Sequence, residues 1–210
     1  VGAGGVVEGT GLSHYTELML NELAHFSLNT ALGFAVLGTI IPLLGATLRR
    51  SSWMQLAPVF ATLQFLLVAF AFGVLTLAFV TSDFSLRLVV LNSHTLKPMI
   101  YKIAGVWGNH EGSLLLWVLI LAFFAACAAI FGRRLPQSLL ARVLGVQSAI
   151  TTAFLAFVLL TSNPFTRVAF PPLNGQGLNP LLQDPGLAFH PPFLYLGYVG
   201  LSITFSFAIA

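Results

Sequence analysis

Charge is what this sequence has least of. Only 7% of its 210 residues are Asp, Glu, Lys or Arg, against about 25% in a typical soluble domain, so a freely water-soluble globular domain is excluded. Cysteine is almost absent as well. The single Cys127 lies inside an apolar run, so no disulfide framework and no multi-cysteine metal site can be built. There is no HExxH zinc motif, no P-loop, and no glycine-rich turn between a strand and a helix, which removes metalloprotease and nucleotide-fold readings. No Ser–His–Asp set and no carboxylate pair stands out. The net charge is +3, but the basic residues are scattered in twos and threes. They form no nucleic-acid patch. The first twenty residues are Gly-rich and weakly acidic and lack the basic-then-apolar order of a signal peptide. They read as a flexible N-terminal extension, 1–20. The sequence starts at Val1 and stops at Ala210 within an apolar run, so a longer protein is expected.

What is present is apolar side chain. Hydrophobic residues make up 57% of the chain, with 19 Phe, and the mean hydropathy is +0.92. A bilayer core about 30 Å thick takes roughly 20 apolar residues as helix. Five stretches meet or approach that length, at about 23–48, 57–80, 113–132, 143–162 and 191–210. No charge falls between Arg50 and Asp83, or between Glu111 and Arg133. Backbone groups in lipid must pair within their own segment, so these stretches are helices. The fold class expected is all-α, a polytopic transmembrane helical bundle in which 21–210 form one membrane domain. The short loops carry Arg49, Arg50, Arg133, Arg134 and Arg142. By the positive-inside rule they face the cytoplasm. The N-terminus and both long loops then face outward, to the periplasm of a bacterial inner membrane or the intermembrane space of a mitochondrion.

The two long loops are unusual. In "FSLRLVVLNSHTLKPMIYKIAGVWGNHEG", residues 84–112, the apolar residues Met99, Ile100, Ile103, Val106 and Trp107 recur at helical spacing. That predicts a short interfacial helix. The other loop, about 162–190, holds Pro164, Pro171, Pro172, Pro180 and Pro185 and ends in Pro191 and Pro192. Loops this long within a packed protein are more often functional than filler. The pair is expected to form an ordered, apolar-lined layer on the outer face, suited to a large flat apolar ligand or a partner protein.

His190 is the leading candidate for chemistry. Pro191 disfavours the α region for the residue before it, while proline is well tolerated in a first helical turn. His190 is therefore expected to be extended, just outside a helix start, with Phe193, Tyr195 and Tyr198 following. Those rings suit an interfacial aromatic belt or the flank of a porphyrin. A neutral imidazole is a common haem-iron ligand; the plainer reading is an interfacial histidine bonded to loop backbone. In "VWGNHEGSLLLW", Trp107, His110 and Trp117 surround a turn at Asn109–Gly112. Glu111 suits the positive end of a helix dipole and Ser113 could cap. That stretch reads either as a rigid helix start with tryptophan anchors or as the polar floor of an outer-face site. His25, beside Glu22, reads as interfacial and structural. His94 and His14 read as loop residues without a partner at ligand spacing. Gln64 is expected to satisfy a neighbour's backbone.

The strings "WGNHEGSLLLWVL" (107–119), "LARVLGV" (140–146), "FVLLTSNPF" (157–165) and "LNPLLQDPGLAFHPPFLYLGYVG" (178–200), with "SDF" at 82–84, resemble the N-terminal part of the CcmF family of cytochrome c-type biogenesis proteins. The resemblance runs from about Leu18 onward. It implies a haem lyase subunit of the cytochrome c maturation system, with haem b as cofactor. Such a subunit receives haem from a membrane-anchored haem chaperone. It positions haem for thioether attachment to the CxxCH motif of an apocytochrome c, presented by thioredoxin-like and scaffold subunits. By the same resemblance His190 is the first of two outer-face axial ligands to haem iron. Trp107, His110, Tyr195 and Tyr198 are further candidates for haem contact, and Arg167 and Lys102 are cations for its propionates. The family's second histidine and tryptophan-rich segment belong to later parts of its pattern and are not in this sequence. No catalytic residue is assigned, and these residues alone are not expected to form an active lyase. The competing classes are a transporter or channel and a structural subunit of a respiratory complex. The helices lack the intramembrane charge that ion pathways usually use.

Overall fold

The computed structural model describes residues 7–177, 179 and 183–210, without the side chains of 7–14 and 187. The first six residues of the N-terminal extension, and Leu178 and Pro180–Leu182 of the proline-rich loop, lie outside the described residues. In chain order the elements are α1 (Val7–Thr47), α2 (Ser51–Met54), α3 (Ala57–Thr81), α4 (Arg87–Asn92) and α5 (Met99–Ala104). They continue with α6 (His110–Phe131), a 3-10 turn at Gly132–Arg134, α7 (Gln137–Thr161) and α8 (Pro185–Ile209). Five helices are long and apolar enough to cross a membrane: Tyr15–Thr47, Ser51–Thr81, His110–Arg134, Gln137–Thr161 and Ala188–Ile209. The all-α polytopic bundle expected from hydropathy is the fold found.

Helix ends differ from those expected, each for a local reason. The backbone of α1 is helical from Val7, so His14 is a helix residue rather than a loop residue. Helix α6 starts at His110, because Asn109 and not Ser113 is its cap. The Asn109 Oδ1 accepts from Gly112 N at 2.7 Å, while Ser113 Oγ donates back to His110 O. Helix α7 starts at Gln137, since Arg142 is tolerated near a helix end where its side chain reaches water.

Helix α1 packs mainly on α7 and α3, and α6 packs on α3, α7 and α8. The main core runs through all of these except α8, from Ala24, Leu28 and Ala31 to Val68, Leu75 and Phe79, and on to Leu115, Val118 and Leu155. Helix α8 lies at the edge. Only 11% of its apolar window is buried, against 50% for α6.

Successive helices alternate in direction, so each loop belongs to one of two ends. At one end the short basic loops are tied together: Ser51 Oγ and Gln137 Oε1 are 2.9 Å apart, and Gln137 Nε2 donates to Ser51 O. At the other end the two long loops are joined into a single layer. Leu86 and Arg167 form an antiparallel bridge, flanked by Arg87 N to Thr166 O at 2.9 Å and Val168 N to Ser85 O at 3.0 Å. Thr95 N donates to Asn174 Oδ1 and Asn174 Nδ2 donates to Thr95 Oγ1. Leu96, Phe170 and Leu173 stand fully exposed on this layer. Such a layer is what the proline content and sparse charge of these loops led us to expect.

Candidate functional site

His190 lies inside α8, in its second turn, and its side chain is exposed. The expectation of an extended residue outside the helix is therefore corrected. The helix is launched upstream, with Ala188 N bonded to Asp184 O at 2.9 Å and Pro185 at its first position, where proline is pre-organised. Pro191 and Pro192 lie within it. Each removes an N–H that would bond four residues back, to Leu187 O and Ala188 O respectively. Ala188 is buried, and its carbonyl is not left bare: Trp107 Nε1 donates to it at 2.8 Å.

Below His190 the exposed face of α8 is apolar. At about 100° per residue, Leu194, Gly197 and Leu201 fall within about 40° of the histidine's direction, and Phe193 about 60° to one side. Phe193, Leu194 and Leu201 are all exposed, and a methyl group at Gly197 would touch nothing within 4 Å. The strip is flat, open and headed by one imidazole. Tyr195 points about 140° away from it and packs edge-on to Trp117, with ring centroids 5.5 Å apart. Tyr198, about 80° round the helix, is exposed but also touches Trp117 at 5.9 Å. Trp117 packs on Phe154 as well. The two tyrosines thus help fasten α8 to α6. Trp107 and Tyr195 border one core patch around Leu116, Ile120, Leu121 and Val199. His110 is exposed at the start of α6, at the same end of the bundle as His190.

The stretch 105–112 is a rigid platform. Asn109 Nδ2 donates to Gly105 O at 2.7 Å and lies 3.2 Å from Val106 O, while its Oδ1 caps Gly112. A Cβ at Gly112 would lie 1.7 Å from Val106 O, so only glycine fits there.

Several other polar residues of this end are engaged with protein. Arg167 forms an ion pair with Glu22 at 2.8 Å and donates to Leu18 O. Lys102 Nζ donates to Ser82 Oγ at 2.7 Å. His25 Nε2 is 3.0 Å from the Asn163 amide nitrogen, in keeping with its structural reading. His94 Nδ1 accepts from Leu96 N. Lys97 is buried and donates to Asn92 O at 2.8 Å. Burial, and secondarily the charge of Lys102, lowers its ammonium to about 8. Among the described residues no three His, Cys, Asp or Glu side chains converge as a metal site.

Two features escaped the sequence reading, and a third went beyond it. Asp83, buried, accepts from Asn21 Nδ2 at 2.7 Å and from Ser85 N at 3.0 Å, joining α1 to the start of the long-loop layer. Gln147, fully buried in α7, donates to Leu121 O and to Ser202 Oγ, and its Oε1 accepts from Ser206 Oγ at 2.7 Å. Gln64, whose bonding to backbone was expected, reaches Phe34 O and also Ser148 Oγ. A lone glutamine in an apolar span was the available signal for Gln147. Nothing in the sequence paired Asp83 with Asn21.

Fold and platform define a class: a multi-pass α-helical membrane protein with a histidine-bearing apolar helix face beneath an ordered loop layer. Residues 107–210 match the family described as "Cytochrome C assembly protein". The chain is 64% identical over 192 residues to the cytochrome c-type biogenesis protein ccl1 of Rhodobacter capsulatus, covering 91% of this chain and 29% of that protein. It is 60% identical over 192 residues to CycK of Rhizobium meliloti, covering 91% and 28%. The solved structure of "Cytochrome c Heme Lyase CcmF" superposes with a TM-score of 0.77 at 26% identity, over 90% of this chain and 30% of that one. The chain belongs to the CcmF family of cytochrome c-type biogenesis proteins, and spans under a third of the length of the relatives it matches.

Proposed function

We propose that this chain is part of a haem-handling subunit of cytochrome c maturation, and that His190 is an axial ligand to haem iron. The observation that carries the reading is the exposed imidazole at the head of the open apolar strip of α8. Haem is flat and apolar with an anionic edge. Phe193, Leu194, Gly197 and Leu201 offer it a surface without a projecting polar group, and the single histidine suits an iron already held by four pyrrole nitrogens. When bound, the group supplies vinyl carbons that form thioethers with the cysteine thiols of an apocytochrome CxxCH. The contribution of this chain is to hold the iron from one side and to orient the ring, which is catalysis by positioning.

Haem b is the type implied. Its donor would be a haem chaperone, with apocytochrome c presented by thioredoxin-like and scaffold subunits. His110 and Trp107 remain the further candidates for haem contact; His110 is exposed at the same end of the bundle, and Trp107 is bonded to Ala188 O. The propionates need cations other than Arg167, which is engaged by Glu22. The arginine-bearing loops would face the cytoplasm of a bacterial inner membrane, and the layer above α8 the periplasm.

The test is His190→Ala in the full-length protein. Holocytochrome c yield is expected to fall at least tenfold while membrane insertion is unchanged. Normal yield from the inserted variant would overturn the ligand role. Wild-type cytochrome c levels in cells lacking the gene would favour a transporter or a structural respiratory subunit instead.

A further inference from the structure

Proline pairs inside a helix leave two carbonyls without their usual donors. In α8 one of these belongs to Ala188, which is 3% exposed, so water cannot readily reach it. Its partner comes from 81 residues away, the indole N–H of Trp107 at 2.8 Å. The carbonyl so engaged lies two residues before His190, in the same helical turn. Trp107 is itself held by a stiff support. Gly108 N bonds to Ala104 O at 2.9 Å, Asn109 clasps Gly105 O, and Gly112 lets the next helix approach Val106 O more closely than any side chain would allow. A phenyl ring could fill much of the same space but could not donate.

We propose that Trp107 is a positioning residue for His190: its indole N–H takes the place of the backbone donor that Pro192 removes from Ala188, and so fixes the turn of α8 that carries the imidazole. The inference rests on the reading of His190 as a haem ligand. It explains why a proline can stand at position 192 within a helix that must present a ligand in one direction. The aromatic body of Trp107 packs on the core, and its single donor sets the helix start.

The full-length protein tests this with Trp107→Phe, Pro192→Ala, the double variant and His190→Ala. Two quantities are read: amide hydrogen exchange of residues 188–190 in haem-free protein, and the His190-dependent part of the Soret absorbance after haem loading. Trp107→Phe is expected to speed exchange at least tenfold and to lower that absorbance at least threefold, with normal accumulation. Pro192→Ala restores a backbone N–H opposite Ala188 O, so the double variant is expected to return within twofold of the parent in both readouts. If the Pro192→Ala double does not accumulate, Pro192→Ser supplies the same N–H and is scored in the same way. A Trp107→Phe defect that neither Pro192 variant repairs would overturn the donor role, as would unchanged exchange in Trp107→Phe. If His190→Ala leaves the Soret band intact, the ligand reading fails, while the exchange data still decide whether Trp107 fixes the turn.

Discussion

Gln147→Leu is the substitution that most directly asks what keeps α8 against the bundle. This helix buries little of its surface, so its attachment depends on few contacts. Gln147 provides two of the polar ones, to Ser202 Oγ at 2.9 Å and Ser206 Oγ at 2.7 Å, while its bond to Leu121 O at 3.2 Å joins α7 to α6. Interhelical hydrogen bonds in membrane proteins contribute about 0.6 kcal/mol on average and about 1.7 at most. The two that reach α8 come to about 1.2 kcal/mol at the average value. Ser206 Oγ keeps a bond to Ser202 O, so that hydroxyl is not orphaned. Leucine has nearly the volume of glutamine and leaves no large cavity. A loss of about 1.2 kcal/mol corresponds to about 8-fold in an opening equilibrium. Hydrogen exchange in detergent should therefore show the amides of 199–209 exchanging about 8-fold faster, with those of α3 unchanged. A change below threefold in α8 would refute the clamp. Equal acceleration in α3 would refute the separate attachment of α8.

Gly112→Ala should lower the thermal midpoint in detergent by the equivalent of about 1–3 kcal/mol or more, because the added methyl meets the backbone oxygen of Val106 and not a movable side chain; an unchanged midpoint would contradict the packing described. Lys97 gives a pH signature. Its folded value of about 8 lies below the usual 10.5, so between those values the unfolded chain holds the extra proton and stability rises with pH. The full rise is at most about 3.4 kcal/mol, at about 1.36 kcal/mol per pH unit. Thermal scans across pH 8 to 10.5 should show that rise in the parent and lose it in Lys97→Met.

The membrane class, the five spans and the two-ended distribution of loops were legible because hydropathy and the shortage of charge are summed over many residues. Single-residue geometry was less so. The rule that residues before proline avoid helical conformation placed His190 outside α8, whereas the helix is launched upstream at Pro185 and carries His190 in its second turn; the donor to Ala188 O comes from Trp107, remote in sequence. Tyr195 and Tyr198 were expected on the ligand side from their nearness to His190. Helical rotation instead turns Tyr195 toward Trp117, a direction that depends on where the helix begins. Arg167 offered a free cation in the sequence, and Glu22 claims it in the fold. The last two outcomes are each set by a partner more than sixty residues away, which periodicity and composition do not report.

Gln64 lies at the meeting of α1, α3 and α7, with Ser148 Oγ at 3.2 Å and a Gly38 that could not gain a methyl group without striking both. Sliding any of these three helices by one residue would shift it about 1.5 Å and rotate it about 100°, parting the amide from its partners in a medium that offers no substitute. The three therefore behave as one stator. The weakly buried eighth helix is the one that can shift without breaking that junction.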